Sequence, residues 1–158
     1  MLSQEEQIIL SKMQKWCAQR ERSSRDCTQK MQRMGLSASS AFALLEKLQD
    51  ADFQNDERYT EAFVSGHVKI KRWGPHKITA HLRANGLPTA LINAHLNAIP
   101  ADMHFENLKH LLERKYRDAS VLSDVNERQK AMRYAQQRGF SSETIFAVLD
   151  ELAAEQPD

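Results

Sequence analysis

An all-α fold of three tandem three-helix repeats is predicted by three observations in this 158-residue chain. First, Gly35-Leu36-Ser37, Gly86-Leu87-Pro88 and Gly139-Phe140-Ser141 each end one helical pattern and open another, glycine suiting a helix C-terminus and Ser or Pro a helix start. Second, the same offsets from each glycine carry matching residues: Ala43, Ala94 and Ala147, then Leu45, Leu96 and Leu149, then Leu48, Ile99 and Leu152. Third, apolar residues recur every three or four positions, and no period-two alternation is long enough for a strand. A period of about 50 residues leaves room for three short helices per copy. Modules are therefore expected at residues 1–52, 53–100 and 101–158, side by side in an elongated, curved array.

The first helix is expected from Ser3 to about Arg22. Ser3 and Glu6 have capping-box spacing, and Ile9, Met13, Trp16 and Cys17 share a face. Ser23 or Ser24 starts a second helix through Met31 and Met34. Ser37 caps a third that buries Phe42, Leu45 and Leu48 before the acidic turn at Asp50, Asp52 and Asp56. In the second module Tyr59, Ala62, Phe63, Gly66, Ile70 and Trp73 form one stripe, with Arg58, Glu61, Ser65, Lys69 and Arg72 opposite. Tyr59, Phe63 and Trp73 are read as core, and Arg58 with Asp56 as a structural pair. Gly74-Pro75 restarts the chain as a helix with Ile78 and Leu82 inward. Pro88 opens the next, which buries Leu91 or Ile92, Leu96 and Ile99, and Pro100 ends it. The third module begins near Asp102, with Phe105, Leu108, Leu112 and Tyr116 inward, then a polar link from Asp118 to Ser123. Asp124 and Glu127 mark a helix lined by Val125, Met132 and Ala135; Ile145, Val148, Leu149 and Leu152 line the last.

Hydrophobic residues make up 41% of the chain and charged ones 27%, a globular rather than disordered balance. A module of this size buries too little surface to be comfortably stable alone, so neighbours must support one another. Cys17 and Cys27 have no companion pair, which indicates reduced buried thiols rather than a disulfide framework or a zinc site. The six histidines, at 67, 76, 81, 95, 104 and 110, show no metal-binding spacing. His67 and His81 are placed on solvated or half-buried faces. The five glycines are isolated, so no phosphate-cradling loop is present. Serines sit at helix starts, no G-x-S-x-G turn precedes a helix, and adjacent acids such as Glu5-Glu6 point apart on a helix. A protein that works by binding is expected: not an enzyme, with no cofactor and no metal. No signal peptide and no apolar stretch of membrane-spanning length is seen, which predicts a cytoplasmic protein without a membrane partner. Without a sustained heptad, a monomer is expected.

Charge is unevenly placed although the net is only +1. From Ala62 to Ala101 there is no Asp or Glu, while Lys69, Lys71, Arg72, Lys77 and Arg83 fall there with His67, His76, His81 and His95. Lys12, Lys15, Arg20, Arg22, Arg25, Lys30 and Arg33 form a second cluster against only Glu21 and Asp26. The tail reverses sign with Glu143, Asp150, Glu151, Glu155 and Asp158. Clustered cations suit a polyanion or an acidic protein surface, and a charge run is also how a solvated helix face reads.

Two strings are more specific. Cys17-Ala18-Gln19-Arg20-Glu21-Arg22-Ser23 resembles the C-x-x-R-E-x-S signature of the RecX family of bacterial recombination regulators. Asp56-Glu57-Arg58-Tyr59, Phe63, Lys69, Lys71, Trp73-Gly74-Pro75, Lys77-Ile78, Leu82 and Gly86-Leu87 resemble its central motif in order and spacing. Thr60 and Asn85 depart from the pattern, where alanine and a basic residue are usual. The resemblance implies a non-enzymatic modulator of the recombinase RecA, one that lies along the groove of its filament or caps its growing end and suppresses ATP hydrolysis and strand exchange. The expected partners are the RecA filament and single-stranded DNA itself. Contacts are assigned to Lys69, Lys71, Arg72, Lys77 and Arg83, assisted by Arg20, Arg22 and Arg25. A generic helical scaffold, opposed by the two motif blocks alone, and a plain DNA-binding helical protein, favoured by the basic clusters but weakened by the near-zero total charge and the acidic tail, are the competing readings.

Overall fold

A computed structural model describes residues 1–155, so Asp158 of the acidic tail lies outside the described residues. Among them every regular element is helical: α1 (Gln4–Gln19), α2 (Ser24–Arg33), α3 (Ala38–Asp50), α4 (Asp56–Lys69), α5 (Pro75–Ala84), α6 (Thr89–Asn97), α7 (Ala101–Lys115), α8 (Val125–Gln137) and α9 (Ser142–Ala154), with a 3-10 turn at Ala119–Ser123. The helices form tandem three-helix repeats. Local chemistry sets their ends. Ser3, Ser23, Ser37, Asn55, Asp124 and Ser141 each accept a hydrogen bond from a backbone amide of the following first turn, a cap worth about 1 kcal/mol. Gly35, Gly86 and Gly139 stand at positive φ just past α2, α5 and α8, as glycine C-caps require.

Each repeat has its own core. Met13, Met31, Leu44 and Leu48 centre the first, Val68, Ile78, Leu82 and Ile92 the second, and Leu108, Leu112, Val148 and Leu149 the third. Several side chains depart from the sequence expectation. Phe42 is 58% exposed, and Ala41 and Leu44 fill the inner face of α3 beside Leu45 and Leu48. In α4 the buried stripe is Thr60, Val64 and Val68, while Tyr59, Phe63 and Trp73 pack against its edge and Ile70 is 77% exposed. Val125 is likewise exposed, and Ala131 joins Ala135 on the inner face of α8. The polar link of the third repeat is a 3-10 turn that buries Leu122.

Polar contacts and close backbone approaches join the repeats. Asp56 accepts from the Ser24 amide and hydroxyl, both at 2.9 Å, and from Gln54 Nε2 at 3.0 Å. Gln54 also donates to the Arg22 carbonyl, and Asn85 donates to Ser23 Oγ and Tyr59 Oη. Arg58 pairs with Glu21 at 3.2 Å and Asp52 at 2.6 Å rather than with Asp56. Between the second and third repeats, the Gly74 amide donates to the Arg138 carbonyl at 2.7 Å and the His76 amide to the Gly139 carbonyl at 2.9 Å. Asn107 Nδ2 donates to the Val68 carbonyl at 2.9 Å. A Cβ on Gly74 would lie 2.2 Å from the Gly139 carbonyl carbon, so a side chain at 74 would force the two repeats apart.

Candidate functional site

Spacing on α4 builds the site. Tyr59, Phe63 and His67 succeed one another at four-residue intervals, which places them in a row along one face. The chain then turns through Arg72, whose φ of 54° reverses its direction, and brings Trp73 and α5 back against the row. The His67 ring stacks on Phe63 with centroids 3.7 Å apart, Trp73 lies 4.4 Å from His67, and His81 lies 4.7 Å from Trp73. The Lys77 ammonium sits over the Trp73 face at 4.2 Å, an attraction of about 0.5–1 kcal/mol at an exposed site. A groove of 350 Å³ runs beside this row, lined by Arg20 and Glu21 from the first repeat and by Tyr59, Ala62, Phe63, His67 and Lys71 from the second. Arg20 also borders a neighbouring concavity of 270 Å³ with Trp16, Arg22, Asp26, Gln29, Lys30 and Arg33.

The groove is electropositive. Burial holds the His67 imidazole below the usual histidine range, and the charges of Lys71, His81 and Lys77 push the same way. The hydrogen bond to the Phe63 carbonyl, 2.8 Å from Nδ1, opposes them, and since a carbonyl only accepts, Nδ1 is the donor. None of Arg20, Lys69, Lys71, Arg72, Lys77 and Arg83 pairs with a carboxylate among the described residues. The tail acids are engaged instead: Glu151 and Glu155 bracket Lys109 at 3.0 and 2.9 Å, and Asp150 pairs with Arg128 at 3.1 Å. Tail acids of the third repeat are thus paired while the cations of the middle repeat are left without carboxylate partners.

The structure brings Arg20, Lys71 and Lys77 together around this aromatic row. Lys69 and Arg83 are exposed, and Arg72 is half-buried in the turn; none of the three lines the groove. Arg22 is buried, its guanidinium 4.0 Å over the Trp16 ring with Nε donating to the Trp16 carbonyl. Arg25 donates to the Ala84 carbonyl and lies against Gly86, so it ties the first repeat to the second. His67 and Lys30 were not assigned from sequence; the four-residue spacing from Phe63 to His67 was the signal for the first. Among the described residues no cluster of three metal-ligating side chains exists, and no helix is long and apolar enough to cross a membrane.

Comparison with known proteins decides the family. Residues 55–96 match the RecX second three-helix domain and residues 101–149 the RecX third three-helix domain. A regulatory protein RecX of Stenotrophomonas maltophilia (strain K279a) is 31% identical over 126 residues, 80% of this chain and 76% of that one. The chain belongs to the RecX family. Regulatory protein RecX of Herbaspirillum seropedicae is also 31% identical, over 131 residues covering 83% of this chain and 82% of its own. The crystal structure of RecX from Lactobacillus salivarius superposes with a TM-score of 0.84 over 97% of this chain and 99% of that one, at 20% identity. That likeness supports the fold. RecX proteins are regulatory, and this RecX-family chain is a regulatory protein rather than an enzyme.

Proposed function

We propose that this RecX-family chain binds RecA and RecA–single-stranded-DNA filaments in the cytoplasm and inhibits filament growth, ATP hydrolysis and strand exchange, so modulating DNA repair and recombination. The observation that carries the reading is the set of carboxylate-free cations at one aromatic row of a RecX fold: Arg20 and Lys71 line the groove between two repeats, and Lys77 lies over Trp73 beside it. Lys69, Arg72 and Arg83 extend the positive surface of the same repeat, Arg25 holds the first repeat beside it through the Ala84 carbonyl, and Arg22 braces Trp16 within the first repeat. Three modules, residues 1–52, 53–100 and 101–158, each offer a few weak contacts. A filament of repeated subunits turns such contacts into tight binding, because every contact after the first is intramolecular.

The test is a RecA ATPase assay on single-stranded DNA with the purified chain added at sub-stoichiometric dose. Turnover should fall well before one chain per recombinase is reached, and added DNA should not relieve it. Unchanged turnover, or inhibition that excess DNA abolishes, would contradict the reading.

A further inference from the structure

Cys17, in the last turn of α1, and Cys27, in the second turn of α2, are unlinked and buried, 6% and 0% exposed. Their Sγ atoms lie 3.7 Å apart. A disulfide holds its sulfurs at about 2.05 Å, so a small approach of two adjoining helix ends separates the thiols from a bond. We propose that the pair is a peroxide-reactive dithiol, with Cys17 the attacking sulfur and Cys27 the resolving one, whose oxidation staples α1 to α2.

Position assigns the roles. Cys17 keeps a sliver of surface and follows Trp16, a residue lining the concavity that also holds Arg22. Hydrogen peroxide is small enough for such access, and Cys27 has no exposed surface. A hydrogen bond from Cys27 lowers the Cys17 thiol, burial opposes, and the Arg22 charge lowers it further. The bond to Cys17 and burial raise Cys27, which suits a thiol that keeps its proton until the second step.

The chemistry balances. The Cys17 thiolate attacks one peroxide oxygen, the O–O bond breaks, and hydroxide leaves to take up the proton that Cys17 lost; Cys17 is now a sulfenic acid. Cys27 Sγ then attacks Cys17 Sγ, the S–O bond breaks, and the departing hydroxide takes the Cys27 proton. Two thiols are oxidised, one peroxide is reduced, and two waters form. The closed loop carries Arg20, Glu21 and Arg22, and it ends at the α2 turn where Ser23 and Ser24 hold Asn85 and Asp56 of the second repeat. The bond therefore forms directly beside the joint and the cationic groove.

The test treats the native chain with hydrogen peroxide, blocks remaining thiols in denaturant and maps peptides by mass. The expected product is a monomer lighter by two hydrogens, with residues 17 and 27 in one cross-linked peptide. In Cys27→Ser, one equivalent of dimedone should be trapped at Cys17; Cys17→Ser should trap none. Two titratable thiols after peroxide, a cross-link only between chains, or dimedone on Cys27 would overturn the proposal. The native-chain map decides even if a variant fails to fold.

Discussion

Asp56 illustrates how much one side chain does in this molecule. Its carboxylate closes off the backbone amide and hydroxyl of Ser24 across the joint between the first two repeats, and one amide hydrogen of Gln54 beside it. Asp56→Ala leaves those donors without their partner, so stability in urea unfolding should drop by about 1–3 kcal/mol, and a core-distant exposed change such as Glu61→Ala should leave it nearly unchanged. His67 adds a pH dependence of defined sign. Its folded-state affinity for a proton is below normal, so as pH falls through the ordinary histidine value, about 6.5, the unfolded chain takes up a proton before the folded one does. Stability is then full above that pH and declines below it. Melting curves from pH 8 to 5 should show this decline, and His67→Gln should flatten it; half-buried His104 contributes in the same direction and accounts for a remainder. At this scale the sequence was partly legible. Basic residues could be counted, but not which of them are engaged: Arg22 and Arg25 look the same in a string as Arg20, and only folding puts Trp16 and the Ala84 carbonyl within their reach.

Elements were more legible, because helix ends are written in local chemistry. The capping serines and the glycine repeats locate the helices directly, since a cap or a positive φ is decided by a few neighbouring residues. Helix faces were less so. On α4 the aromatics and the smaller Thr60, Val64 and Val68 share the same periodicity one position apart, and the branched side chains win the interior because three close-packed helices leave room for them. Phe42 shows a clue that the repeat itself carried: its counterparts are Asn93 and the exposed Phe146, a polar residue marking that position as outward. The repeat glycines also differ in what surrounds them. A Cβ at Gly35 meets nothing within 4 Å, but at Gly139 it would lie 2.4 Å from the Lys77 amide. Gly35→Ala should therefore cost only the left-handed backbone penalty, about 1–2 kcal/mol, whereas Gly139→Ala should cost clearly more and loosen the second joint, as hydrogen exchange at the His76 and Gly74 amides would report.

Across the whole molecule, charge is sorted by repeat. Carboxylates near the C-terminus are neutralised by Lys109 and Arg128, while Arg20 and Lys71 line an aromatic groove whose lining acid, Glu21, is taken up by Arg58, and Lys77 lies beside it over Trp73. A near-zero net charge conceals this arrangement, and the acid-free stretch from Ala62 to Ala101 was its trace in the sequence. The most direct measurement is inhibition of RecA ATPase by the native chain and by Arg20→Ala/Lys71→Ala/Lys77→Ala, compared at rising salt after circular dichroism has confirmed equal helicity. The triple variant should need about tenfold more protein or beyond, since 1.4 kcal/mol is a factor of ten, and its inhibition should vary less with salt. A folded triple variant that inhibits with native potency and native salt dependence would contradict the account.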